Sequence, residues 1–186
     1  MVKKIINAFR NRLRLKIYSF KYTIGKKCSF GEIKILDAPK DAIRIGDNTK
    51  ILRYTELCGK SELPICIGNN TFINQRCIIR PCVKIGNNVD VGPEVLFLSD
   101  SHEIGSFDKR AGKSIFEPIL IEDGCWIGAR TTILGNVVIG KGSIIAAGSL
   151  VNKNCEPNSL YAGVPAKLIK KLDSTSNKET LEQHVI

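Results

Sequence analysis

At 186 residues with 43% apolar side chains, the chain is sized for one domain with its own core. Its net charge of +10 is unevenly spread, because residues 1–27 carry nine Lys or Arg and no acid, leaving the remainder close to neutral. No apolar run approaches the ~20 residues of a membrane span, and no recognition motif for nucleic acid accompanies the basic segment, so neither class is expected.

Residues 1–22 predict a basic amphipathic helix. Ile5, Phe9, Leu13 and Ile17 recur at every fourth position with Ile6 and Phe20 alongside, while Lys3, Lys4, Arg10, Arg12, Arg14 and Lys16 lie mostly elsewhere. Two roles suit residues 2–20: a cap over the open end of the repeat that follows, and peripheral docking on an anionic membrane surface. Residues 21–66 read as irregular first coils, with Ile33, Ile35, Ile43, Ile45 and Ile51 pointing inward and Pro39 and Pro64 marking loops.

From Ile67 a strict six-residue spacing takes over. Ile67, Ile73, Ile79, Ile85, Val91 and Phe97 form one column, and Ile121, Ile127, Ile133, Ile139, Ile145 and Val151 form another. Two positions before most of these stands a small or branched residue, such as Thr71, Cys77, Cys125, Thr131 or Ser149. A period of six fits neither a helix nor a long alternating strand. It fits a coil that turns a corner every six residues and stacks its aliphatic residues turn upon turn, an all-β solenoid over residues 23–164. Gly46-Asp47-Asn48, Gly68-Asn69-Asn70 and Gly86-Asn87-Asn88 tolerate the left-handed backbone that sharp corners need. The inward thiols Cys77, Cys125 and Cys155 pack as small apolar groups. Seven cysteines, odd in number, without paired metal spacing or a preceding signal peptide, point to reduced thiols in a cytoplasmic protein.

The register lapses after Phe97. Residues 99–118 predict an extruded loop that carries His102, one of two histidines. The other, His184, lies in the polar segment 173–186, which is expected to be mobile.

The runs Ile127-Gly128-Ala129, Ile145-Ala146-Ala147-Gly148-Ser149 and Asn158 to Lys167, with its Gly163-Val164-Pro165 turn, resemble the C-terminal half of the hexapeptide-repeat acetyltransferases. The nearest subgroup is the sugar O-acetyltransferases related to galactoside and maltose acetyltransferase and to polysaccharide-modifying enzymes. The resemblance implies a left-handed parallel β-helix, a homotrimer, acetyl-CoA as co-substrate without a metal, and a sugar or polysaccharide-precursor acceptor. It implies His102 as the general base, Asn74 in acceptor binding, and Trp126, Ala129, Ala147, Asn152, Lys153, Lys167 and Lys170 in acetyl-CoA binding, the last two on a C-terminal helix over 165–172. The chemistry agrees with the assignment of His102. A sugar hydroxyl is a weak nucleophile at neutral pH, and imidazole suits removal of its proton as it attacks a thioester. Asp100, Glu103 or a backbone carbonyl could fix the imidazole tautomer. Three readings stay open: O-acetylation of a sugar hydroxyl in surface-polysaccharide synthesis, N-acetylation of an amino sugar, and a non-catalytic solenoid that serves as a binding or assembly subunit. A trimeric carbonic anhydrase is disfavoured, since zinc there needs three histidines.

Overall fold

The computed structural model describes residues 2–172, so the segment 173–186 with His184 lies outside the described residues. After a helix, Val2–Ser19, the chain winds as a triangular parallel solenoid with three faces. The first face stacks Thr23–Ile24, Ile43–Ile45, Ile65–Ile67, Val83–Ile85, Ile119–Ile121 and Val137–Ile139. The second runs from Ser29–Phe30 through Lys50–Ile51, Phe72–Ile73, Asp90–Val91 and Trp126–Ile127 to Ile144–Ile145. The third runs from Lys34–Leu36 to Leu150–Val151.

The six-residue spacing becomes three straight stacks, one per face. Ile67, Ile85, Ile121 and Ile139 lie in register on the first face, Ile73, Val91, Ile127 and Ile145 on the second, and Ile79, Phe97, Ile133 and Val151 on the third. All are buried, most of them completely, and each contributes roughly 1.5–3 kcal/mol of apolar burial. The irregular first coils join the same core, with Ile33, Ile43, Ile45 and Ile51 buried and Ile35 packed at its margin.

The small inward column is partly polar, and its hydroxyls find carbonyls. Thr71 Oγ1 donates to Gly86 O at 2.9 Å, Thr131 Oγ1 to Gly128 O at 2.8 Å and Ser149 Oγ to Ala146 O at 2.7 Å, so no penalty for an unpaired buried group arises. The seven cysteines are free, and Cys77, Cys125 and Cys155 are buried as the repeat predicts. Asn48, Asn70 and Asn88 take left-handed backbone at the corner between the first and second faces, with φ of 55°, 53° and 54°. Beside them runs a ladder of side-chain caps: the N–H groups of Lys26, Asp47, Asn69 and Asn87 donate to the side-chain oxygens of Asp47, Asn69, Asn87 and Asp123, one coil further on, at 2.6–2.8 Å.

The helix lies against the first coil with the face opposite to its apolar stripe. Leu15 and Tyr18 pack on the core. Asn11 Oδ1 accepts from Phe30 N–H at 2.8 Å and Arg14 reaches Phe30 O at 3.5 Å, so the open edge of the second face is covered. At the other end a predicted element is replaced. Residues 165–172 are not a helix: Ala166–Lys171 is a strand that pairs antiparallel with Ser159–Gly163 and closes the second face. An eight-residue helix is marginal on its own, whereas an exposed strand edge offers backbone partners at once, and Gly163, with φ of 104°, permits the reversal.

Candidate active site

The insertion after Phe97 is an antiparallel hairpin, Asp100–Ile104 with Ala111–Phe116, which leaves the corner between the third and first faces. The coil continues beneath it, since Ile85 pairs directly with Ile121. Its base is fixed by Glu117 N–H donating to Ser99 O at 2.7 Å, by Arg80 facing Asp100 at 3.3 Å as an ion pair without hydrogen-bond alignment, and by the Lys60 ammonium 4.0 Å from the Phe116 ring centroid.

Register slips between His102 and Ile104, and such bulges re-aim side chains. There His102 Nδ1 lies 2.9 Å from the carbonyl oxygen of Gly112. A carbonyl can only accept, so Nδ1 carries the proton and the exposed ring presents Nε2 as its free lone pair. Of the orienting groups left open by the sequence, the backbone carbonyl is the one in contact. Gly112 is a positioning residue that sequence reasoning missed. A Cβ there would stand 2.8 Å from Glu103 O, so glycine lets the strands close on the imidazole.

A second feature lies at the corner between the second and third faces. Asn74, Gly92, Pro93, Trp126, Ala129 and Ala147 line a groove of about 280 Å³ that runs across successive coils. Its floor is low because the corners are stacked tightly: a Cβ on Gly92 would meet Ala129 N at 2.6 Å, and one on Gly128 would meet Ala147 N at 2.5 Å. Among the described residues the Ala129 and Ala147 N–H groups find no acceptor in the chain, so the groove offers two backbone donors beside an apolar wall. Trp126, 44% exposed, divides it from an adjoining hollow of about 260 Å³ lined by Phe72, Asn74, Asp90 and Gly92. Asp90 and Phe72 were not singled out by sequence. They stand in register with Trp126 on the second face, a placement visible only once the coil phase is known. Glu94 buttresses the corner. It accepts from Arg130 Nε at 2.9 Å and faces Arg76 at 3.6 Å, and the Arg130 hydrogen bond leads in holding its carboxyl below the usual range.

Residues 67–98 and 118–153 match the six-repeat pattern of the bacterial transferase hexapeptide family. Over those two blocks the chain carries the repeat of the hexapeptide transferases and is similar to them. The two matched blocks stop where the hairpin begins and resume where it ends, so the hairpin is an insertion between family repeats. The chain is 38% identical to a Schizosaccharomyces pombe protein over 109 residues (58% of this chain, 53% of that protein). It is 35% identical to the galactoside O-acetyltransferase of Escherichia coli over 111 residues (59% of this chain, 55% of that protein). It therefore spans little more than half the length of these curated relatives. A hexapeptide-repeat acetyltransferase from Vibrio cholerae, also solved with acetyl coenzyme A, superposes with a TM-score of 0.63 at 28% identity over 88% of this chain and 81% of that one. The N-acyltransferase AntD of Bacillus cereus shares the fold, with a TM-score of 0.74 at 19% identity over 86% of this chain and 89% of that one.

Within this hexapeptide-repeat protein, four of the residues marked by sequence share the groove: Asn74, Trp126, Ala129 and Ala147. The others do not reach it. Asn152 and Lys153 are exposed just after Leu150–Val151, at the corner between third and first faces, below the hairpin. Lys167 and Lys170 are exposed on the terminal strand rather than on a helix. His102 lies at a different corner from the groove and is not among its lining residues. Among the described residues, no three His, Cys, Asp or Glu side chains cluster to hold a metal ion.

Proposed function

We propose that the protein is an acetyl-CoA-dependent O-acetyltransferase that acts on a sugar hydroxyl in surface-polysaccharide synthesis, and that it works as a homotrimer with each site shared by two chains. The observation that carries this reading is the hydrogen bond from His102 Nδ1 to Gly112 O, which leaves Nε2 as an oriented base on a projecting arm. The groove suits the donor. Small residues at Gly92, Ala129 and Ala147 leave room for a pantetheine arm, the open N–H groups of Ala129 and Ala147 match its amide carbonyls, and Trp126 gives it an apolar wall. The adjoining hollow suits a sugar, with Asn74 and Asp90 as hydroxyl partners and Phe72 as a floor. Asn152, Lys153, Lys167 and Lys170 lie apart from the groove in one chain. A neighbouring chain could bring the first two beside it, and the two terminal-strand lysines form an exposed basic surface that suits the phosphates.

Because His102 and the groove occupy different corners, one chain alone separates base from donor. Three solenoids side by side around an axis parallel to their own let the hairpin of one reach the groove of the next. Nε2 then takes the proton of the acceptor hydroxyl as its oxygen attacks the thioester carbonyl carbon. The carbon–sulfur bond breaks, and the imidazolium returns the proton to the CoA thiolate. Such general-base assistance contributes about 10²–10⁴-fold.

The test is release of CoA over a panel of sugars and oligosaccharides, run with wild type and His102→Ala. The expected result is sugar-dependent release that falls about 10²-fold or more in the variant. Equal rates would remove His102 from the chemistry. Release with amino sugars alone, giving amides, would replace O- by N-acetylation.

A further inference from the structure

The helix Val2–Ser19 presents an apolar stripe that is exposed among the described residues. Ile6, Phe9, Leu13 and Ile17, with Phe20 just beyond the helix end, are all exposed, Phe9 by 69% and Phe20 by 91%. At about 100° per residue these five fall within an arc of about 80°. The residues that hold the helix on the first coil, Asn11, Arg14, Leu15 and Tyr18, fall on the opposite side. The same arithmetic places Arg10 on one flank of the stripe and Arg12 and Lys16 on the other, all three at the surface. The helix has no acid in its first turn, and residues 1–27 contain none at all.

From this we infer that the helix is a docking surface for an anionic lipid bilayer, lying in the plane of the headgroups with its stripe among the acyl chains. Charge complementarity selects this occupant. Cations on both margins of an outward apolar stripe match a sheet of negative headgroups over apolar tails. A second copy of the same helix would instead bring basic flanks together with no carboxylate to pair them. Among the described residues no helix is long and apolar enough to cross a membrane, so the contact is interfacial. The tertiary anchors give the arrangement its direction: Asn11 and Arg14 are tied to Phe30 backbone, so the cap cannot roll its apolar side inward without losing both contacts. The inference stands independently of acyl transfer.

The test is co-sedimentation of the full chain with phosphatidylglycerol-rich vesicles and with pure phosphatidylcholine vesicles, at about 0.1 M and about 1 M salt, between which the Debye length falls from ~10 Å to ~3 Å. The protein should sediment with the anionic vesicles at low salt, be released at high salt, and ignore the zwitterionic ones. Combined Arg10→Gln, Arg12→Gln and Lys16→Gln should lower partitioning by about 100-fold, at roughly fivefold per cation. Combined Phe9→Gln, Leu13→Gln and Ile17→Gln should abolish binding while far-UV circular dichroism and the urea midpoint stay unchanged, since these side chains face away from the core and Gln keeps helix propensity. Lack of sedimentation with anionic vesicles at low salt, or undiminished binding by the apolar triple variant, overturns the inference. A lower oligomeric mass for that variant in light scattering would identify a second copy as the occupant and overturn it equally. Acetyl transfer to a soluble acceptor, measured alongside, should match wild type in both variants, so failure to bind vesicles is separable from failure of the catalytic reading.

Discussion

Substituting Gly128 by Ala tests the stacking that builds the groove. The added methyl would stand 2.5 Å from Ala147 N and 2.8 Å from Ala146 C and Ile145 O, all backbone atoms of the next coil. Ordinary contact begins near 3.4 Å, so the two corners must part by about 0.9 Å locally. Across that gap run the bonds from Gly128 N–H to Ile145 O at 2.7 Å and from Gly148 N–H to Ala129 O at 2.8 Å, and both would stretch to roughly 3.6 Å, beyond useful range. Two weakened bonds at about 0.5–1.5 kcal/mol each, with overpacking of about 1–3 kcal/mol, give a loss of roughly 2–6 kcal/mol. That is a large share of a total near 5–15 kcal/mol. Gly148 is the control: it has φ of +70° with no atom within 4 Å of a built Cβ. Gly148→Asn should therefore cost less than about 1 kcal/mol, because Asn tolerates that conformation. Urea unfolding followed by circular dichroism reads both. Equal midpoints for Gly128→Ala and Gly148→Asn would refute the close-approach argument.

Gly112→Ala should push against Glu103 O and displace the carbonyl that holds His102; kcat should fall about tenfold to 10²-fold with KM for acetyl-CoA and the urea midpoint unchanged, whereas a KM effect alone would contradict the role. Burial pushes the Cys77 thiol up to about 11 and the Cys155 thiol up to about 12. In a native thiol titration near neutral pH the half-buried Cys66 and Cys82 should therefore react first, and all seven only after unfolding. Early labelling of Cys77 or Cys155 would contradict the core assignment. Asp123 accepts from the Asn87 backbone N–H and then its side-chain amide, which holds its carboxyl below the usual range. A depressed carboxyl contributes stability above its unfolded value of about 3.9 and loses it as pH falls through the folded value, so the deficit of Asp123→Asn at neutral pH should close below about pH 4. A gap independent of pH would remove the charge from the account.

Much of this fold can be read directly from residue spacing. A column such as Ile121, Ile127, Ile133 and Ile139 needs no tertiary information, because a period of six is itself the corner-to-corner distance of the coil, and each member is buried. Corners carrying Asn48, Asn70 and Asn88 are legible for the same local reason, backbone with positive φ. What spacing cannot convey is which way a face looks. The stripe Phe9–Leu13–Ile17 announces an amphipathic helix, yet the core takes the other side through Asn11, Leu15 and Tyr18, whose partners lie on the coils. Likewise Lys167-Leu168-Ile169-Lys170 after Pro165 reads as a helix, and becomes a strand because the edge at Ser159–Gly163 is waiting for one. In the site, the resemblance implies Asn74 for the acceptor and Trp126, Ala129 and Ala147 for acetyl-CoA, and all four, being within the repeat, line one groove. Asp90 and Phe72 join through sheet register, and Gly112 through a bulge, neither of which follows from local sequence.

The claim that base and donor groove come from different chains has a direct measurement, subunit complementation. His102→Ala and a groove-filling Ala129→Phe variant, each inactive alone, are co-expressed and the mixed assemblies assayed for sugar-dependent CoA release. With base and groove contributed by neighbouring chains of a trimer, random mixing of equal amounts should restore about a quarter of wild-type sites. Mixed assemblies as inactive as either parent would place the whole site within one chain and contradict the account.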